Sequence, residues 1–230
     1  MLESDLHLTH DGVPILIHDA IIDRVTDASG NVADFTAEAL QRFDAGYHFS
    51  ADGGQTHPYR NRGVRIPSLE DAFRHFPDAR FNLEIKVPGS RLIAATLELV
   101  VKHRREAITL LTAGEDAIMV RLRDRLGGLV NPIAQGASER DVREFLSCAA
   151  VGTPPAPGPM ALQIPPDFGG QPLVTGPLIE FAHARGVEVH VWTINDPAEM
   201  RRLLDLGADG IITDYPGRLA EAIADWRGGR

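Results

Sequence analysis

Apolar runs of strand length alternate with amphipathic helical segments along almost the whole chain, and this alternation restricts the fold more than any other feature. Strand-like runs start at residues 2, 80, 107, 129, 160, 187 and 208. Helical segments follow most of them, at about 91–105, 115–126, 138–149, 175–185, 197–206 and 218–226. Alternation of this kind predicts parallel strands joined by helical crossovers. The run over 187–195 is the clearest strand and the run over 129–134 the weakest. Seven strands is one fewer than the eight of a (β/α)₈ barrel. A chain of 230 residues, 43% of them hydrophobic, can bury one sizeable core, and α/β barrels often use about this length as a single domain.

Local signals punctuate the pattern. Thr36 opens a short capped helix, and Ser68 is an N-cap with Asp71 three residues on. Pro197 stands in the first turn of a helix that stops before Gly207. Residues 44–63 show no periodicity and are rich in Gly, His and Tyr, which marks a functional loop or an insertion. The stretch 152–159 carries four prolines and reads as a loop.

The chemistry concentrates in the first nineteen residues. Glu3, Asp5 and His7 alternate with Leu2, Ser4, Leu6 and Leu8. On a strand that spacing sends the polar groups to one face and a mostly apolar row to the other. His10-Asp11-Gly12 is a turn signal, and the apolar run 13–17 ends on His18 and Asp19. Two carboxylates so close repel each other unless a cation neutralises them, which points to a hard divalent metal. The plain alternative is a solvated edge strand with ordinary surface acids. On the strand at 80–87, Asn82, Glu84 and Lys86 alternate with Phe81, Leu83, Ile85 and Val87. Lys86 beside Glu84 reads equally as a strand-face ion pair or as a Schiff-base lysine, and Trp192 as core.

Composition excludes several classes. Net charge is −9, from 23 basic and 32 acidic residues, which argues against a nucleic-acid or anionic-membrane surface. Cys148 is the only cysteine, so neither an intrachain disulfide nor a cysteine-based zinc site can form. No apolar run approaches the ~20 residues of a membrane span. No basic leader precedes the first strand, so the cytoplasm is the default location. No Gly-x-Gly-x-x-Gly or P-loop sequence opens a helix.

Taken in order, the motifs resemble the glycerophosphodiester phosphodiesterase family. Glu3-Ser-Asp5, Thr9-His-Asp11-Gly12-Val13-Pro14, Ile17-His18-Asp19 and Asp23-Arg24 with Thr26 are similar to its second-strand region. Asn82-Leu-Glu84-Ile-Lys86 resembles its third strand. Val189-His-Val-Trp192-Thr-Ile-Asn195 and Gly207-Ala-Asp209-Gly210-Ile-Ile-Thr213-Asp214-Tyr-Pro216 resemble its seventh and eighth. The resemblance implies a TIM-barrel fold over residues 1–230 as one domain, with a small insertion at about 44–66. It implies hydrolysis of a glycerophosphodiester, a small-molecule substrate, to an alcohol and glycerol 3-phosphate. It further implies that Glu3, Asp5 and Glu84 ligate a divalent cation, Ca²⁺ or Mg²⁺. His18 becomes the catalytic acid/base, and Lys86 and Trp192 bind substrate. His7, His10, His183 and His190 take surface or structural readings, and Asp214 orders the end of the last strand.

The family's His-Arg-Gly and Pro-Glu-Asn segments do not occur in the 230 residues. They carry its second catalytic histidine, a phosphate-binding arginine and a metal-ligating glutamate. A strand–helix unit is of the order of 30 residues, so the strand count and the length both read as a barrel lacking its first βα unit. Such an open barrel exposes two strand edges, which invites association with a second copy. The expected activity is therefore an impaired phosphodiesterase. A non-catalytic barrel remnant that binds a cation or phosphate, or self-associates, is the competing reading. A Lys86 Schiff-base lyase is the third.

Overall fold

The computed structural model describes residues 1–229. The chain divides into two compact units, 1–133 and 134–230.

In the first unit, β1 (Leu2–Leu8) turns through Gly12 into β2 (Pro14–Leu16), which runs antiparallel to it with His7 opposite Ile15. Gly12 takes φ +85° in this turn, where a side chain would be strained. β3 (Phe81–Ile85) lies parallel to β1, and β4 (Thr109–Thr112) lies parallel to β3, giving the order β2-β1-β3-β4. Side chains alternate across these strands. Leu6, Phe81, Leu83, Ile85 and Leu111 share one face and pack on helices α2 (Leu69–His75), α3 (Ser90–Lys102) and α4 (Asp116–Leu126). The opposite face carries Glu3, Asp5, His7, Asn82 and Glu84, as the period-two spacing predicts.

A second apolar cluster, Ile15, Ile17, Ile22, Val32, Leu40 and Ile66, surrounds the short helix α1 (Ala37–Leu40), which Thr36 caps. The stretch 44–66 forms neither helix nor strand. Buried Asp44 organises it, accepting hydrogen bonds from the backbone N–H groups of Gly46 (3.0 Å) and Asn61 (2.6 Å). Ser68 caps α2, its hydroxyl accepting from the Asp71 N–H at 3.0 Å.

Arg105 is an unexpected core residue. Its sequence neighbourhood, Lys-His-Arg-Arg, suggests a solvated patch, yet it is only 2% exposed. Its guanidinium donates to the carbonyls of Pro77 (2.6 Å) and Ala79 and lies over the rings of Phe73 and Phe81. A delocalised, weakly hydrated cation with planar donors suits this position, where a lysine would not.

In the second unit, β6 (Ala161–Ile164), β9 (Glu188–Val191) and β10 (Gly210–Ile211) form a parallel sheet in the order β10-β9-β6. The short β5 (Ala134–Gln135) reaches β6 through a bridge from Gly136 to Ala161. Helices α5 (Glu139–Val151), α6 (Gly176–His183), α7 (Pro197–Leu206) and α8 (Pro216–Gly228) alternate with these strands. The core joins Phe145, Leu162, Ile164, Leu178, Val189, Val191, Met200 and Leu203. Ser138 and Asp141 form a reciprocal capping box at α5. A Cβ at Gly210 would stand 2.7 Å from the ring of buried His190, so only glycine lets these strands approach.

Three expectations need correction. Strand pairing is mixed rather than uniformly parallel. β2 is antiparallel, and β7 (Asp167–Phe168) and β8 (Gln171–Pro172) make a further antiparallel hairpin around Gly169-Gly170. The weak strand at 129–134 is displaced to Ala134–Gln135. Leu129 is still held by a turn to the Leu126 carbonyl, and Pro132 has no N–H to give a ladder. The long strand at 187–195 shortens to four residues, Glu188–Val191; beyond it Trp192 still donates to the Ile164 carbonyl at the end of β6, and Ile194 donates to Ile212 just past β10.

Phe73, 2% exposed between Phe81 and Arg105, anchors the first unit. Phe73→Ala is expected to cost about 3–5 kcal/mol, seen as a lower urea midpoint. Ser138→Ala is expected to cost about 1 kcal/mol, the usual loss for an N-cap.

Candidate active site

The site forms where β1 and β3 run side by side. Parallel pairing sets Glu3 opposite Asn82 and Asp5 opposite Glu84. Paired residues of neighbouring strands point to the same face, so three carboxylates gather there. Lys86 closes the group. Its Nζ is 2.8 Å from a Glu84 oxygen and 3.1 Å from an Asp5 oxygen. The Gly114 N–H approaches the same Glu84 carboxylate at 3.3 Å.

The electrostatics follow from crowding. Glu3 is exposed as a residue, beside the carboxylates of Asp5 and Glu84. Desolvation, then repulsion from Asp5 and Glu84, pushes it up to about 7. Desolvation likewise raises Asp5, although Lys86 opposes the rise. Burial alone would lower Lys86, yet its ion pairs with Glu84 and Asp5 hold it above the usual lysine range. The cluster is thus short of positive charge: one ammonium serves three carboxyl groups.

His18 sits just beyond β2, close enough for its charge to act on both Glu3 and Asp5. Its Nδ1 lies 2.7 Å from Asp19 Oδ1, and Arg24 Nε donates to the other Asp19 oxygen at 2.5 Å. These contacts, the arginine first, hold Asp19 down to about 2. An ionised Asp19 accepts from an Nδ1–H, which fixes the imidazole tautomer and leaves Nε2 without a protein partner. His7 holds the same segment from below. It is buried, and its Nε2 lies 3.2 Å from the His18 carbonyl oxygen, so Nε2 carries the hydrogen. Burial depresses the His7 pKa, against the pull of its bond to the His18 carbonyl.

Glu3, Asp5, Glu84, Lys86 and His18 therefore fall within one unit, around one pair of strands. Trp192 belongs to the second unit. It follows β9, and 42% of it is exposed. Asp214 does order the end of the last strand, through a reciprocal pair of bonds with the Asn195 side chain at 2.8 and 3.0 Å. His183 pairs with Asp209 at 2.8 Å and His190 with Glu188 at 2.9 Å, in keeping with structural readings. The sequence reading gave His7 only a surface or structural role and assigned none to Asp19 or Arg24. The two-residue spacing of His7 from Asp5 and the His18-Asp19-x₄-Arg24 run were the available signals.

Chemically, the donor set suits a hard divalent cation. It is all oxygen and carries excess negative charge, whereas zinc and copper sites draw on His and Cys. Among the described residues no three His, Cys, Asp or Glu side chains are arranged around a metal position. Lys86 is the cation that Asp5 and Glu84 hold in this arrangement. No helix among the described residues is long and apolar enough to cross a membrane.

The chain is similar to known proteins over most of its length. The model of the glycerophosphoryl diester phosphodiesterase family matches residues 1–218. A glycerophosphodiester phosphodiesterase of Caldanaerobacter subterraneus is 29% identical, over 96% of this chain and 85% of that protein. Among solved structures, the glycerophosphoryl diester phosphodiesterase domain of a Mycobacterium tuberculosis protein superposes with a TM-score of 0.79 at 21% identity, covering 98% of this chain and 87% of that one. An Oleispira antarctica phosphodiesterase, solved with its product sn-glycerol-3-phosphate, gives a TM-score of 0.72 at 23% identity, over 96% and 84% of the two chains. The chain has the TIM-barrel type of α/β fold that these structures share, and it belongs to the glycerophosphoryl diester phosphodiesterase family of phosphoric diester hydrolases.

Proposed function

We propose that this chain hydrolyses glycerophosphodiesters to an alcohol and glycerol 3-phosphate by metal-assisted acid/base catalysis. The observation that carries the reading is the juxtaposition of a carboxylate–lysine cluster with an aspartate-oriented histidine on the β1–β2 segment. The product held by the Oleispira antarctica relative is the product this reading requires.

His18 is the general acid. Water adds to phosphorus, the bond from phosphorus to the alcohol oxygen breaks, and the doubly protonated His18 gives its Nε2 proton to that oxygen; the attacking water loses one proton to solvent, and the imidazole, still holding its Nδ1–H against Asp19, takes one back at Nε2 to reset the site. Asp19, fixed by Arg24, keeps the ring in the tautomer and orientation this transfer needs. Lys86 turns part of its charge toward the phosphoryl oxygens, and the family resemblance gives Trp192 a substrate-binding role. Glu3, Asp5 and Glu84 would hold Ca²⁺ or Mg²⁺, which when bound would supply positive charge to oxygens that become more negative in the transition state. His-Arg-Gly does not occur in the 230 residues, so His18 is the acid/base group that this set of residues offers.

Glycerol 3-phosphate release from glycerophosphocholine tests the proposal. Release is expected with Ca²⁺ or Mg²⁺, none with EDTA, and His18→Ala should lower it by ~10²–10⁴-fold. Extending the chain upstream by a unit that carries His-Arg-Gly should raise the rate by a similar factor. A chain that binds the cation yet releases no product, alone or extended, would be a non-catalytic binder.

Cation binding should also depend on pH. Glu3 takes up a proton near pH 7, and that proton competes with the cation. Affinity is therefore expected to rise with pH between about 6 and 8 and to level off above, with proton release on binding near neutrality. Calorimetry in buffers of different ionisation enthalpy measures both.

A further inference from the structure

Four buried side-chain polar atoms have no hydrogen-bond partner among the described residues: Asn82 Oδ1, Thr96 Oγ1, Thr109 Oγ1 and Arg105 Nε. Thr96 belongs to α3, and Thr109 pairs with Phe81 in register and so faces the helices. Arg105 lies over aromatic rings. Only Asn82 stands on the carboxylate face, and it is 3% exposed.

Its surroundings explain why the oxygen finds no donor. Across the ladder Asn82 has Glu3 on one side and Leu110 on the other, and Glu84 follows two residues along its own strand. Ionised carboxylates only accept hydrogen bonds, and a leucine side chain offers none. An amide oxygen is thus packed among other acceptors. The ammonium of Lys86 is taken up by Glu84 and Asp5 and has no recorded bond to the Asn82 oxygen, whereas a divalent cation is a single group that would satisfy several of these oxygens together.

We infer that Asn82 supplies Oδ1 as a neutral oxygen ligand to the divalent cation proposed for Glu3, Asp5 and Glu84, making it a fourth member of that donor set. The inference rests on the reading of those three carboxylates as a cation site. Hard cations take amide oxygens alongside carboxylates. A neutral donor adds coordination without adding to the repulsion that already strains this cluster.

The test is cation binding without substrate. Calorimetric titration with CaCl₂ and with MgCl₂, together with thermal unfolding, is run on the 230-residue chain and on Asn82→Leu, Asn82→Asp and Glu84→Gln. Glu84→Gln should lose binding. Asn82→Leu should bind about tenfold more weakly or worse, while its cation-free melting temperature stays at or above that of the parent, because an unsatisfied buried oxygen is gone. Asn82→Asp should bind more tightly, since ligand charge sets affinity. Equal affinity in Asn82→Leu and the parent overturns the inference and leaves the carboxylate site standing. A parent chain that binds neither cation overturns both. Should Asn82→Leu fail to fold, Asn82→Asp decides: tighter binding supports the ligand role, and unchanged or weaker binding overturns it.

Discussion

The register between β1 and β3 is the constraint on which the site depends. Sliding β3 by one residue would turn Asn82, Glu84 and Lys86 toward the helices and bring Phe81, Leu83 and Ile85 to the polar face. The apolar packing of Phe81, Leu83 and Ile85 on α2, α3 and α4 forbids that slip. Hydrophobic burial on one side of the sheet thereby forces like charges together on the other. Asp5 and Glu84 do not sit opposite each other because they attract. They are held there by leucines, isoleucine and phenylalanine, and Lys86 makes the arrangement tolerable.

His18 reaches this cluster by a different route. The strand that carries it toward the site is the antiparallel β2, a hairpin return rather than a crossover. A hairpin sets its end by turn geometry, and here Thr9, Asp11 and Gly12 lock that turn, with the Thr9 hydroxyl donating to Asp11 at 2.6 Å. His7 and Asp19 then fix the backbone and the ring of the histidine in turn. The proton-bearing group is therefore placed by short-range contacts, and the charge cluster by long-range ones.

This difference governs what could be read from the chain. Period-two spacing at Glu3-Asp5-His7 and Asn82-Glu84-Lys86 is local, so which residues share a face was legible. So were the caps at Thr36 and Ser68, whose signals lie within four residues. The pairing of Asp5 with Glu84 is a contact between distant segments and leaves no local trace, although the order of motifs resembling one family pointed to it. The burial of Arg105 was hidden because its neighbours Lys102, His103 and Arg104 give the run the look of a solvated surface. The hairpin of β7 and β8 escaped notice because two-residue strands are too short to show any period, despite the Gly169-Gly170 turn between them.

β3 carries a cation at each of its ends. Arg105 ties the carbonyls just before Phe81, and Lys86 follows directly after Ile85. The two charges have separate audiences: the first speaks to backbone and aromatic rings, the second to carboxylates. A single five-residue strand is in this way anchored at its entrance and charged at its exit. Substitutions at the exit leave the anchor untouched, so the charge cluster can change while the packing of Phe81, Leu83 and Ile85 on the helices stays as it is.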